Sequence, residues 1–114
     1  MRISVVQVDG CPNAPVAVTR DTAALARLGL ADVGVETVVV TTAAQAARAG
    51  AGGSPTVLVD GRDLFPGSVP DGGLSCRLYP TTAGLEGAPS VEQLVEQFRN
   101  RLGDHPPAAP APPR

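Results

Sequence analysis

The stretch Gly53-Ser54-Pro55-Thr56-Val57-Leu58-Val59-Asp60-Gly61 restricts the fold of this chain more than any other part of it. Residues 56–59 are apolar or β-branched and read as a strand. Asp60-Gly61 is a two-residue turn signal tolerant of positive φ, and residues 62–65 read as the returning strand of a hairpin. Proline at the head of a strand costs only the first ladder position. It also makes Ser54-Pro55 a place to expect a cis bond, which at proline lies only about 0.5–1 kcal/mol above trans.

Elements on either side supply the rest of a sheet. Ile3 to Val8 reads as a strand, broken by the turn residues Asp9-Gly10-Cys11-Pro12-Asn13. A helix follows, in which Val18, Thr22, Leu25 and Leu28 are expected on the buried face and Gly29 closes the C-terminus. Its first turn begins at Pro12 or at Pro15. Val35 to Val40 is apolar on alternate and adjacent positions alike, the pattern of a strand covered on both sides. The crossover from the first strand to this one is about 25 residues long and helical, which predicts a parallel pair with right-handed connection.

Residues 42–49 predict an alanine-rich helix closed by Gly50. Residues 66–73 predict a loop. Residues 74–79 alternate in polarity and fit either a short strand or an ordered loop, with Leu74, Cys76 and Leu78 forming one side. Ser90-Val91-Glu92-Gln93 is a capping box ahead of a helix whose apolar stripe is Val91, Leu94, Val95, Phe98 and Leu102. From residue 103 the chain is a Pro- and Ala-rich tail, expected to be disordered, and its His105 has no expected role. One domain over residues 1–102 is therefore expected, an α/β fold with a mixed four-stranded sheet and helices on both faces.

Composition excludes several functions. The 9 basic residues, all arginine, are scattered and outnumbered by 11 acidic ones, which leaves no phosphate-tracking stripe. Aromatic content of 3% provides no base-stacking platform, so nucleic acid is not an expected partner. No apolar run approaches the roughly 18 residues of a membrane span, and the N-terminus lacks a leader pattern, so no membrane is expected and the expected compartment is the cytoplasm. Two cysteines do not make a disulfide framework, and in a reducing compartment each is reactive, ligating or simply buried. Neither has a second ligand at metal-site spacing. No metal and no cofactor are expected.

The order of elements, with Cys11-Pro12 after the first strand and Ser54-Pro55 before the third, resembles a thioredoxin-like domain. Cys11-Pro12-Asn13, Gly53-Ser54-Pro55-Thr56, Val59-Asp60-Gly61 and Gly73-Leu74-Ser75-Cys76-Arg77-Leu78-Tyr79 are together similar to a group of small bacterial thioredoxin-like proteins. Some of that group are labelled alkylmercury lyase by similarity, an activity that uses two cysteines and an aspartate. The resemblance implies a reactive Cys11 at the start of the first helix facing a cis Pro55. The expected substrate-contacting set is Gly10, Pro12, Ser54, Pro55 and Arg77, around Cys11 and Cys76. One departure decides the chemistry to expect: the position three after Cys11 is Ala14, so there is no Cys-x-x-Cys disulfide.

Two readings of function follow. In the first, Cys11 is the centre of a monothiol redox protein, its mixed disulfides resolved by an external thiol or by Cys76, with a low-molecular-weight thiol or a protein disulfide as partner. A helix N-terminus favours the thiolate, Asp9 opposes it, and Arg77 assists Cys76 if the two side chains share a face. In the second, the chain is a non-enzymatic module that binds a thiol or a soft, mercury-type ion through the two cysteines. A Cys11–Cys76 disulfide would close a loop long enough to gain about 4 kcal/mol in the chain-entropy model.

Overall fold

The computed structural model describes residues 1–66 and 74–103, so most of the expected 66–73 loop and the tail from residue 104, with His105, lie outside the described residues. The elements are β1 (Ile3–Val8), α1 (Ala14–Arg27), β2 (Val35–Val40), α2 (Ala43–Ala49), β3 (Thr56–Val59), β4 (Arg62–Asp63), β5 (Tyr79–Thr81), β6 (Gly84–Glu86) and α3 (Val91–Gly103). The main sheet has four strands in the order β2-β1-β3-β4. β1 and β2 are parallel, whereas β3 runs antiparallel to β1 and to β4. A mixed α/β architecture with three helices thus emerges as the sequence patterns require.

The two faces of the sheet follow from the alternation of β1 and β3. Ile3, Val57 and Val59 pack with Ala24 and Leu25 of α1 and with Leu94 and Phe98 of α3. Val5, on the same face, packs with Cys11, Ala14 and Ala17. Val6 and Leu58 point the other way and pack with Val40 and with Ala46 of α2. Covered on both sides, all four residues of β3 are buried, which is why its sequence is a continuous apolar and β-branched run.

Local signals explain the element ends. The Asp60-Gly61 turn places both residues at positive φ, 52° and 84°, the geometry a two-residue hairpin demands. Thr42 caps α2 by accepting from the Gln45 N–H, and Gly50 closes it in the left-handed conformation. At α3 both halves of the capping box form, Ser90 Oγ accepting from the Gln93 N–H and Gln93 Oε1 from the Ser90 N–H. Leu94 and Phe98 of its stripe are fully buried, whereas Leu102 is exposed.

Three expectations are corrected, and the open reading of residues 74–79 is settled. β2 is an edge strand, and four of its six residues are exposed, because packing reaches only its two ends, Val35 on one face and Val40 on the other. The buried face of α1 is Ala14, Ala17, Asp21, Ala24 and Leu25; Thr22 is exposed and Val18 only half-buried. Small alanines let α1 lie close to β1, which rotates the bulkier Val18–Thr22 edge aside. β4 is limited to Arg62 and Asp63. Residues 74–79 contribute a bridge at Cys76 and the start of a separate hairpin, in which Tyr79 pairs with Glu86 and Pro80 with Leu85.

Candidate functional site

Ser54 is the hub of the site. Its side chain is fully buried, and its Oγ accepts from the Val8 N–H at 3.0 Å, tying the turn before β3 to the end of β1. Its backbone is used on both sides by a distant segment: the Ser54 N–H donates to the Ser75 carbonyl at 2.9 Å, and the Ser54 carbonyl accepts from the Arg77 N–H at 3.0 Å. These two bonds set Cys76 opposite Ser54 in a parallel bridge. The following Pro55 is joined to Ser54 by a cis peptide bond, as expected from the sequence.

The Gly52 to Thr56 turn is shaped from inside. Thr56 is fully buried, and its hydroxyl donates to the Gly53 carbonyl while accepting from the Gly52 N–H. A β-branched residue that is also a hydroxyl donor satisfies strand and turn together.

Cys11 reaches the same end of the sheet from β1. Gly10, at φ +77°, turns the chain, and the Cys11 N–H closes that turn on the Val8 carbonyl at 3.2 Å. Val8 is therefore shared, its carbonyl by Cys11 and its N–H by Ser54. Cys11 lies two residues before Asn13, the N-cap of α1, in the turn rather than in the helix itself. Its side chain is 7% exposed and packs with Val5, Ala14, Ala17 and Ala88, whereas Pro12 is exposed. Cys76 is exposed, and both cysteines are free thiols. The thiol that solvent reaches is thus Cys76, whereas Cys11 is a core thiol.

Arg77 points away from Cys76, as successive residues of an extended segment do. It is 7% exposed. Its guanidinium pairs with Asp63 Oδ2 at 2.7 Å, donates to the Phe65 carbonyl, and lies 4.9 Å from the centre of the Tyr79 ring. The charge is spent on holding the 74–79 segment to the β3-β4 hairpin, and the Arg77 and Cys76 side chains do not share a face. Tyr79 is buried beside it and donates its hydroxyl to the Pro55 carbonyl. Burial first, then the carboxylates of Asp63 and Asp21, hold that phenol above its ordinary range, with Arg77 opposing. Gly10, Pro12, Ser54 and Pro55 therefore sit in the two turns at this end, while Arg77 supports the site from beneath.

Sequence reasoning missed Tyr79 and Asp63 as the anchors of Cys76, although the alternation of residues 76–79 carries the signal once Arg77 and Tyr79, rather than Cys76 and Leu78, are assigned inward. Asp21 was missed altogether. It is fully buried in α1, and among the described residues neither carboxyl oxygen has a hydrogen-bond partner. Burial pushes its carboxyl from 3.8 up to about 8.

Among the described residues, no group of three or more His, Cys, Asp or Glu side chains could hold a metal ion, and no helix is long and apolar enough to cross a membrane. The chain matches no protein-family model, no curated protein and no solved structure.

Proposed function

We propose that this chain is a thioredoxin-like thiol–disulfide exchange protein working with two non-adjacent cysteines, Cys76 as the entry thiol and Cys11 as the resolving one. The observation that carries this reading is the Val8–Ser54–Cys76 linkage, which draws an exposed cysteine from a distant segment to the sheet end where the first strand delivers a buried one. The order β2-β1-β3-β4 and the placement of α1 and α3 opposite α2 support a thioredoxin-like reading of the fold.

The exchange balances as follows. The Cys76 thiolate attacks one sulfur of an external disulfide, forming a mixed disulfide and expelling the other half as a thiolate. The Cys11 thiolate then attacks the Cys76 sulfur, forming the Cys11–Cys76 bond and expelling the second thiolate. Two electrons pass to the external disulfide, and the two protons of the protein thiols go to the released thiols through solvent. Two equivalents of external thiol reverse the cycle. The final bond requires Cα atoms about 4.4–6.8 Å apart, a distance the exposed Cys76 segment has to supply.

Titration with an aromatic disulfide that releases a coloured thiol checks this. The wild type is expected to release two thiols per chain and end with no adduct, joined instead through Cys11 and Cys76 in a single cross-linked peptide pair by mass spectrometry. Cys11→Ser releases one thiol and keeps one adduct. Cys76→Ser reacts at least about tenfold more slowly, because only the buried thiol is left. A wild type carrying two stable adducts, or a Cys76→Ser variant as fast as the wild type, overturns the pairing.

A further inference from the structure

We infer that the partner whose sulfur meets Cys76 is a polypeptide with apolar residues beside its cysteine, rather than a small charged thiol; this rests on the exchange reading above. Residues 76–80 alternate out and in: Cys76, Leu78 and Pro80 are exposed, whereas Arg77 and Tyr79 are buried and fastened to Asp63 and to the Pro55 carbonyl. Leu85 lies directly across the β5-β6 hairpin from Pro80, on the same side. Leu78 and Leu85, at 59% and 68%, are the two most exposed large hydrophobic side chains among the described residues. Both therefore stand on one strip that begins at the accessible thiol.

The strip's own side chains are apolar, and at its far end Pro80 lines a cleft with Glu92, which pairs with Arg27 at 3.5 Å, and with Glu96. Arg77 is turned inward onto Asp63, and Glu86 is engaged by Arg20 at 3.0 Å and by the Thr81 hydroxyl. Among the described residues a small thiol bearing carboxylates meets no free cation there, only the carboxylates beside Pro80, and it leaves the strip uncovered. From Cys76 to Pro80 the strip spans about 13 Å at the usual extended rise, the reach of several residues of extended chain. An uncharged peptide segment matches the length and meets no like charge at the Pro80 end. Exposed apolar surface beside a reactive group is the ordinary mark of a recognition surface.

The step is the first half of the exchange. A Cys76 sulfur–peptide sulfur bond forms, the peptide's existing disulfide breaks, and its other sulfur leaves as a thiolate carrying the electron pair; the Cys76 proton goes to solvent.

Three probes with the same coloured thiol as leaving group test the inference: a pentapeptide whose cysteine is flanked by leucine and valine, the same peptide flanked by aspartates, and glutathione. Wild type is expected to react with the apolar peptide at least about tenfold faster than with the other two. The double variant Leu78→Ser and Leu85→Ser, at exposed positions where substitution scarcely affects folding, is expected to lose that preference and to keep the wild-type rate with glutathione. Equal rates for the apolar and acidic peptides, or a preference that survives in the double variant, overturn the strip's role while leaving exchange intact. No reaction of Cys76 with any of the three overturns the exchange reading and the inference with it.

Discussion

Asp21→Asn is expected to be more stable than the wild type at pH 8 by several kcal/mol, and about equal to it at pH 4. In the folded protein the Asp21 carboxyl is buried without a partner and keeps its proton up to about pH 8, whereas in the unfolded chain it ionises near 3.8. Between those values the unfolded state has lost a proton that the folded state retains. Stability contributed by the protonated form is therefore fully present below about pH 4 and falls as pH rises towards 8, by about 1.4 kcal/mol for each pH unit. Asparagine has the same shape and cannot ionise, so this slope disappears. It leaves a buried amide, but the protonated acid it replaces is equally without partners, and the two costs are similar. For a domain whose whole stability is on the order of 5–15 kcal/mol, the difference at pH 8 is large. Urea unfolding at pH 4, 6 and 8 measures it. Parallel pH profiles for the two proteins would mean that Asp21 is ionised and compensated in the fold.

Arg77→Met is expected to destabilise the protein by about 3–5 kcal/mol, the cost of breaking a buried ion pair from one side. The Arg77 and Asp63 side chains are 8% and 19% exposed, so removing the guanidinium leaves a largely desolvated carboxylate and an unpaired Phe65 carbonyl. Contact with the Tyr79 ring is lost as well, worth about 0.5–2 kcal/mol. Asp63→Leu added to Arg77→Met is expected to recover part of the loss, since replacing both members of a buried pair removes the stranded charge. Denaturant midpoints for the single and double variants decide it. A loss under about 1 kcal/mol, or no recovery in the double variant, would show that the pair is solvated and does not hold the Cys76 segment. Because Arg77 presents its neighbour outward, the single variant is also expected to lose the regular rate of exchange at Cys76.

Much of this architecture is written into short stretches of chain. The capping box at Ser90, the Thr42 and Gly50 caps of α2 and the Asp60-Gly61 turn each form as their own residues dictate, because the interacting groups lie within four positions of one another. The parallel β1-β2 pair follows from crossover length, and the burial of β3 from its unbroken apolar run. The two cysteine-bearing turns were also legible as candidate chemistry. What the residue pattern left undecided was everything that depends on which distant segment arrives alongside. The apolar Val35–Val40 strand is indistinguishable by composition from a central one, and only the strand order makes it an edge. Asp21 looks like an ordinary surface carboxylate until α1 settles on its alanine face and turns it inward. Ser54 takes up backbone groups of Ser75 and Arg77, far from it in sequence, and Asp63 is 14 residues from the guanidinium it binds. Local hydrogen bonds and periodicity are decided within a turn or two of chain. Burial, ion pairing and the meeting of Cys76 with the Cys11 end of the sheet are decided by packing between segments far apart in sequence, so only the tertiary structure determines them.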